Sequence, residues 1–179
     1  MSSTQITVVA GAAVLVFWAV GAYNRLMQLR SGILRRFVPL DQQLGLRHAL
    51  LQRQVDVLAP LLPAHADTLS ALRAACSQAQ SATAHARNHP GAAGALNSLR
   101  LAEDILLDTR ARLPPAPVPV PAAGAELAEL GPQLAAAEAA LQFARSRFND
   151  AVLEYNRAVQ QFPTRLLAGL FGFRLAGAL

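Results

Sequence analysis

Two short runs carry the residues whose types could do chemistry. In HARNHP, His85 and His89 stand four apart and share one helix face, a spacing open to two imidazole ligands. A metal site needs further donors, and no carboxylate or cysteine lies close in sequence. Metal binding is therefore not expected, and histidines near a helix C-terminus also complement its dipole. The second run holds Glu103, Asp104 and Asp108. Paired carboxylates work as acid and base only where a pocket shifts their pKa values. With Arg100 and Arg112 close by, they read as a solvated charged face. His48 and His65 are isolated and expected at the surface or at a boundary. The single cysteine, Cys76 in LRAACSQA, has no intrachain disulfide partner and suits a small core position. The spacing suggests no phosphate-cradling glycine loop and no Ser/His/Asp arrangement. No enzymatic activity, cofactor or small-molecule substrate is expected.

Composition then limits the class. Charged residues make up 15% of the 179, and mean hydropathy is +0.29. That balance suits a membrane-attached chain better than a free cytosolic domain. Frequent alanine and few aromatics favour helix over sheet. All sixteen basic residues are Arg, which reads as a GC-rich coding bias. The net charge of +5 does not indicate nucleic acid, because the arginines are spread out and no aromatic platform interleaves with them.

Residues 6–23, ITVVAGAAVLVFWAVGAY, carry no charge. As a helix they extend about 27 Å, close to a hydrocarbon core of about 30 Å. Trp18 and Tyr23 crowd the C-terminal end of this run, with Arg25 and Arg30 just beyond, as an interfacial belt requires. A cleaved signal peptide is the competing reading, with Val20-Gly21-Ala22 as its cleavage site, but MSSTQ lacks a positive n-region. Arg25, Arg30, Arg35 and Arg36 all precede the first acid, Asp41. The positive-inside rule then places the N-terminus outside and the rest in the cytoplasm.

The pattern beyond stays helical. Leu26, Leu29, Ile33 and Phe37 follow three- and four-residue steps, and Leu40, Leu44, Leu51, Val55 and Leu58 continue them. Pro39 should kink this helix, and Pro60 and Pro63 should end it. A second helix is expected over about 64–88, a turn over 88–94 and a third helix over about 95–112. The run PPAPVPVPAAG (114–124) suits an extended interhelix connector, with a docking motif for a proline-binding module as the alternative. In the fourth helix Leu134, Leu141, Phe148, Tyr155 and Phe162 are seven apart, and Ala137, Ala144, Ala151 and Ala158 follow three residues behind the first four. That is an a/d packing seam, either within a bundle or between chains. Gln161-Phe162-Pro163 should end the helix. Leu166, Leu167, Leu170, Phe171 and Phe173 then lie between Arg165 and Arg174, too short a run to span a bilayer but suited to its interface or to the bundle end.

The expected fold is therefore all-α, an N-terminal transmembrane helix followed by an antiparallel up-down bundle of about four long helices. Its parts are a tail and anchor (1–24), the bundle (25–163) and an apolar C-terminal segment near the membrane (164–179). Alternating helix directions bring the two Tyr-Asn-Arg triplets, Tyr23–Arg25 and Tyr155–Arg157, to the membrane-proximal end.

The block ARSRFNDAVLEYNRAVQQFPTRLLAGLFGF (144–173) resembles the C-terminal pattern of the LemA family of bacterial membrane proteins. YNRLMQLRS (23–31) and the Leu-Asp-x-Gln-Leu at 40–44 resemble it too. The middle departs: residues 49–55 read ALLQRQV where the family has a polar Asp-Leu-Ile-Pro-Asn-Leu-Val-like stretch, and only Glu138 remains of a usual Thr-Glu-Asn. The resemblance implies a bacterial membrane helix leading into a long antiparallel bundle, and it supplies no reaction. The expected role is a non-enzymatic scaffold or adaptor in the bacterial inner membrane, with the lipid bilayer and a protein partner or a second copy as partners. Remodelling or sensing of the bilayer by the C-terminal segment is the alternative.

Overall fold

A computed structural model describes residues 3–114 and 121–179. The described residues are all-α, with five helices among them: α1 (Ser3–Leu58), α2 (Ala66–Asn88), α3 (Ala93–Ala111), α4 (Pro121–Gln160) and the short α5 (Thr164–Leu170). A single 3-10 turn, Pro63–His65, links α1 to α2. At 1.5 Å per residue the 56 residues of α1 extend about 84 Å. Pro39 lies inside α1 without ending it. Its ring faces solvent, so the carbonyl that loses its helical donor is on the side where water can replace it.

The first buried residue of α1 is Leu26. Residues 3–25 project from the bundle, and no part of their most apolar eighteen-residue window is buried. This segment is long and apolar enough to cross a membrane. The end of the bundle from which it projects is called the near end below.

Cross-helix ion pairs set the directions. Asp41 and Asp56 of α1 meet Arg87 and Arg73 of α2, while Arg53 of α1 meets Glu126 of α4 and Phe37 of α1 meets Phe148 of α4. Both neighbours therefore run antiparallel to α1. The α2–α3 turn and the end of α4 lie at the near end. Among the described residues α1 packs against α4 and α2, and α2 packs against α3, but no Cα pair of α3 and α4 comes within 8 Å. The bundle is open along that side.

The core has two parts. Near the protruding segment, Leu26, Ile33, Phe37, Leu40 and Leu44 of α1 pack with Leu141, Phe148, Val152 and Tyr155 of α4. Phe37 and Phe148 meet edge to face at 5.8 Å. At the far end, Leu51, Val55 and Leu58 pack with Leu69, Leu72, Cys76, Leu106 and Leu134. Leu134, Leu141, Phe148 and Tyr155 are all buried in α4, so the sevenfold series lies within one chain. Phe162 does not continue it. It is 77% exposed, because α4 ends at Gln160 and the chain has turned before the next core position.

The expected connector at 114–124 lies largely outside the described residues. From Pro121 the chain is already helical, since a proline at the first helical position loses no bond it would have made.

Candidate functional site

Most of the sequence-selected interface residues gather at the near end. Tyr23, on the last turn before the α1 core begins, meets Phe171 at 5.2 Å and Phe173 at 5.7 Å, both edge to face. Trp18 lies lower on the protruding segment, and Arg25 and Arg30 are exposed above it. Leu167 and Phe173 are half-buried, whereas Leu166, Leu170 and Phe171 are exposed. The exposed apolar face of α5 thus lies beside the point where α1 leaves the bundle.

The C-terminal residues do not form one uniform interfacial segment. Helix α5 closes with Phe171 N–H donating to the Leu167 carbonyl and Phe173 N–H to that of Ala168, both at 2.9 Å. Gly172 supplies the left-handed residue this closure needs, with φ of 70°. Residues 173–179 then turn away from the near end and run along α4 without regular structure.

Two asparagines hold that tail. Asn156 donates to the Ala176 carbonyl at 2.9 Å and accepts from its N–H at 2.8 Å. Asn149 does the same to Leu179, at 2.7 and 2.9 Å. Seven helical residues rise about 10.5 Å and three extended residues about 10 Å, so the two spacings match. Each side-chain amide pairs with the tail as a neighbouring strand would. The Tyr155 hydroxyl donates to the Arg174 carbonyl at 2.9 Å, and burial raises its pKa. Gly177 packs so closely that a Cβ there would stand 2.7 Å from Ala93 Cα. Both Tyr-Asn-Arg triplets therefore touch residues 171–176: Tyr23 through the two phenylalanines, Tyr155 and Asn156 through the tail backbone.

A second arrangement lies at mid-height, between the two parts of the core. Arg47 and His48 are buried on α1, and both reach the buried Glu103 of α3. The His48 Nε2 to Glu103 Oε1 distance is 2.7 Å. Two sequence expectations fail here. His48 is not at the surface, being 1% exposed, and Glu103 is not part of a solvated face. A broken stripe on α1 was the available signal: between Leu44 and Leu51 the helical rhythm needs an inward residue near position 47, where only Arg47 and His48 stand.

Burial, with Arg47 adding to it, lowers the His48 pKa to about 4. The ring is then neutral at physiological pH, donates from Nε2 and leaves Nδ1 without a partner. Burial also lowers the Arg47 pKa, opposed mainly by Glu138, and raises that of the Cys76 thiol. Arg47 and Glu103 lie at the floor of a groove of about 570 Å³ between α3 and α4, where Arg110 pairs with Glu138. The guanidinium and carboxylate offset each other's charge and the neutral imidazole donates to the carboxylate, while Arg47 Nε is buried without a partner.

His85 and His89 lie on the surface with ring centroids 5.2 Å apart. Among the described residues no group of three or more His, Cys, Asp or Glu is placed to hold a metal.

The sequence model of the LemA family matches residues 39–178, most of the chain. That stretch includes the mid-bundle polar layer, all of α2 to α5 and most of the tail. No curated protein and no solved structure matches.

Proposed function

The chain belongs to the LemA family, and we propose that it is a non-enzymatic, membrane-anchored helical scaffold or adaptor. The observation that carries this reading is α1 itself, whose apolar, wholly exposed first part continues into the helix against which the bundle is built. Such a helix couples an anchor rigidly to a display surface, without a flexible linker. In this reading the membrane is the bacterial inner membrane, and the arginines after Tyr23 favour an N-terminus outside and a bundle in the cytoplasm. Partners then meet the exposed helix faces or the groove between α3 and α4. Cross-linking in native membranes, followed by detergent extraction and affinity purification of the full chain, tests the idea. A reproducible protein partner or a defined self-assembly supports it, and a clean monomer with no partner contradicts it.

A second reading is that the protein senses or remodels the bilayer surface. The exposed Leu166, Leu170 and Phe171 favour it, because they lie beside the exit of α1 and carry apolar area that the bundle does not cover. Residues 25–179, which contain the whole described core, separate the two readings. Liposome binding by that folded fragment supports the second, and failure to bind removes it.

A further inference from the structure

A cavity of about 630 Å³ opens at the near end between α1, the α2–α3 turn and the tail. Arg30, His89, Tyr155 and Arg174 contribute its charged and titratable side chains, and no carboxylate lines it. Among the described residues neither Arg30 nor Arg174 belongs to an ion pair, a state they share with eight other arginines; what sets them apart is that both border this one cavity. Two guanidinium groups thus border one concavity with no acid among its lining residues, a charge balance that favours an anion. The walls between them are apolar, from Ile33, Leu34 and Leu175. The first turn of α3, with Ala93 in the lining and no side-chain cap, adds the positive end of a helix dipole.

Position narrows the class of anion. Arg30 is seven residues above Tyr23 on a continuous helix, about 10 Å along its axis. The polar layer of a bilayer begins where the apolar run ends and is roughly 5–8 Å thick on each side. A flexible arginine bridges the remaining distance. Gly172, just beside the Tyr23–Phe171 contact, belongs to the same lining, so the cavity opens next to the apolar boundary. Its wall is also held in place, since Tyr155 binds the Arg174 carbonyl and Asn156 the next residue but one.

We propose that this cavity binds the phosphate headgroup of an anionic phospholipid, with Arg30 and Arg174 on the phosphate and the exposed Phe171, next to Gly172 on the membrane side of the lining, against the glycerol and upper acyl carbons. The lipid source of the phosphate rests on the membrane-anchored reading. The chemistry of the cavity does not.

The test uses the purified full chain in a neutral detergent, titrated with dioctanoyl phosphatidic acid, dioctanoyl phosphatidylcholine or inorganic phosphate and followed by native mass spectrometry and calorimetry. One phosphatidic acid should bind per chain. Arg30→Gln with Arg174→Gln should weaken it by about tenfold or more, while Arg25→Gln with Arg165→Gln, which removes equal charge outside the cavity, should change it by less than about twofold. Leu175→Glu, which puts a carboxylate in the wall, should abolish binding and serves as an independent variant should the double substitution disturb folding. Equal binding of phosphatidylcholine, equal loss in both double variants, or inorganic phosphate binding as tightly as the lipid would each overturn the assignment. Alkaline carbonate washing of membranes tests the anchor separately: release of the chain fails the membrane reading, whatever the cavity binds.

Discussion

The Tyr23 ring stands edge-on to Phe171, with centroids 5.2 Å apart and planes inclined at 62°. This contact joins the place where α1 leaves the bundle to the end of α5. The tail continues from there and is fixed higher up by Asn156 and Asn149. The protruding segment of α1, the terminal helix and the bundle are thus fastened at one end of the molecule.

Asn156→Ala should release the tail. It removes both hydrogen bonds to Ala176, whose groups are partly buried, at a cost of about 1–3 kcal/mol. Trypsin cleavage after Arg174 should accelerate roughly tenfold, because the cut requires local opening. Gly177→Ala should act in the same direction, its new methyl meeting the Ala93 backbone. Unchanged cleavage in both variants would mean that the tail is not held by these contacts.

Phe148→Asp should unfold the bundle. Phe148 is fully buried against Phe37, and aromatic truncation alone costs about 3–5 kcal/mol before the unpaired carboxylate is counted. Circular dichroism of residues 25–179 should show most of the helix lost. A variant that stays helical and only changes its mass by light scattering would place the seam between chains instead.

His48 should make stability pH-dependent. Its pKa is about 4 when folded, against 6.5 for the free side chain. The unfolded chain therefore takes up the proton first as pH falls. Stability from this group is complete above about pH 6.5 and is lost between there and pH 4, by up to roughly 3 kcal/mol. Denaturant melts from pH 7 to pH 5 should show the decline, and His48→Gln, which keeps a donor for Glu103, should flatten it. Parallel slopes for the two proteins would show that His48 is not held neutral.

Regular packing was readable in the sequence, because one helix face repeats its own signal: Leu26, Ile33, Phe37, Leu40 and Leu44, then Leu134, Leu141 and Phe148. The seam overran at Phe162 because a sevenfold spacing does not record where a helix stops. Asn149 and Asn156 each follow a seam aromatic, but their partners are backbone groups of residues 176 and 179, which have no side-chain signature. His48 and Glu103 were misplaced for a related reason. Each alone is a polar residue of the exposed type, and burial becomes affordable only when Arg47 and the partner helix stand at the same height. The cavity beside Arg30 and Arg174 is likewise a property of the folded-back tail and not of any local run.

Cysteine accessibility in intact cells tests the anchored arrangement most directly. With Cys76→Ala as background, Ser3→Cys and Asp108→Cys place one thiol before the apolar run and one on the exposed face of α3. A membrane-impermeant maleimide should label Ser3→Cys in intact spheroplasts and Asp108→Cys only after permeabilisation, with both variants sedimenting with membranes. Labelling of Asp108→Cys but not Ser3→Cys would reverse the orientation. Recovery of the chain in the soluble fraction would contradict the anchor itself.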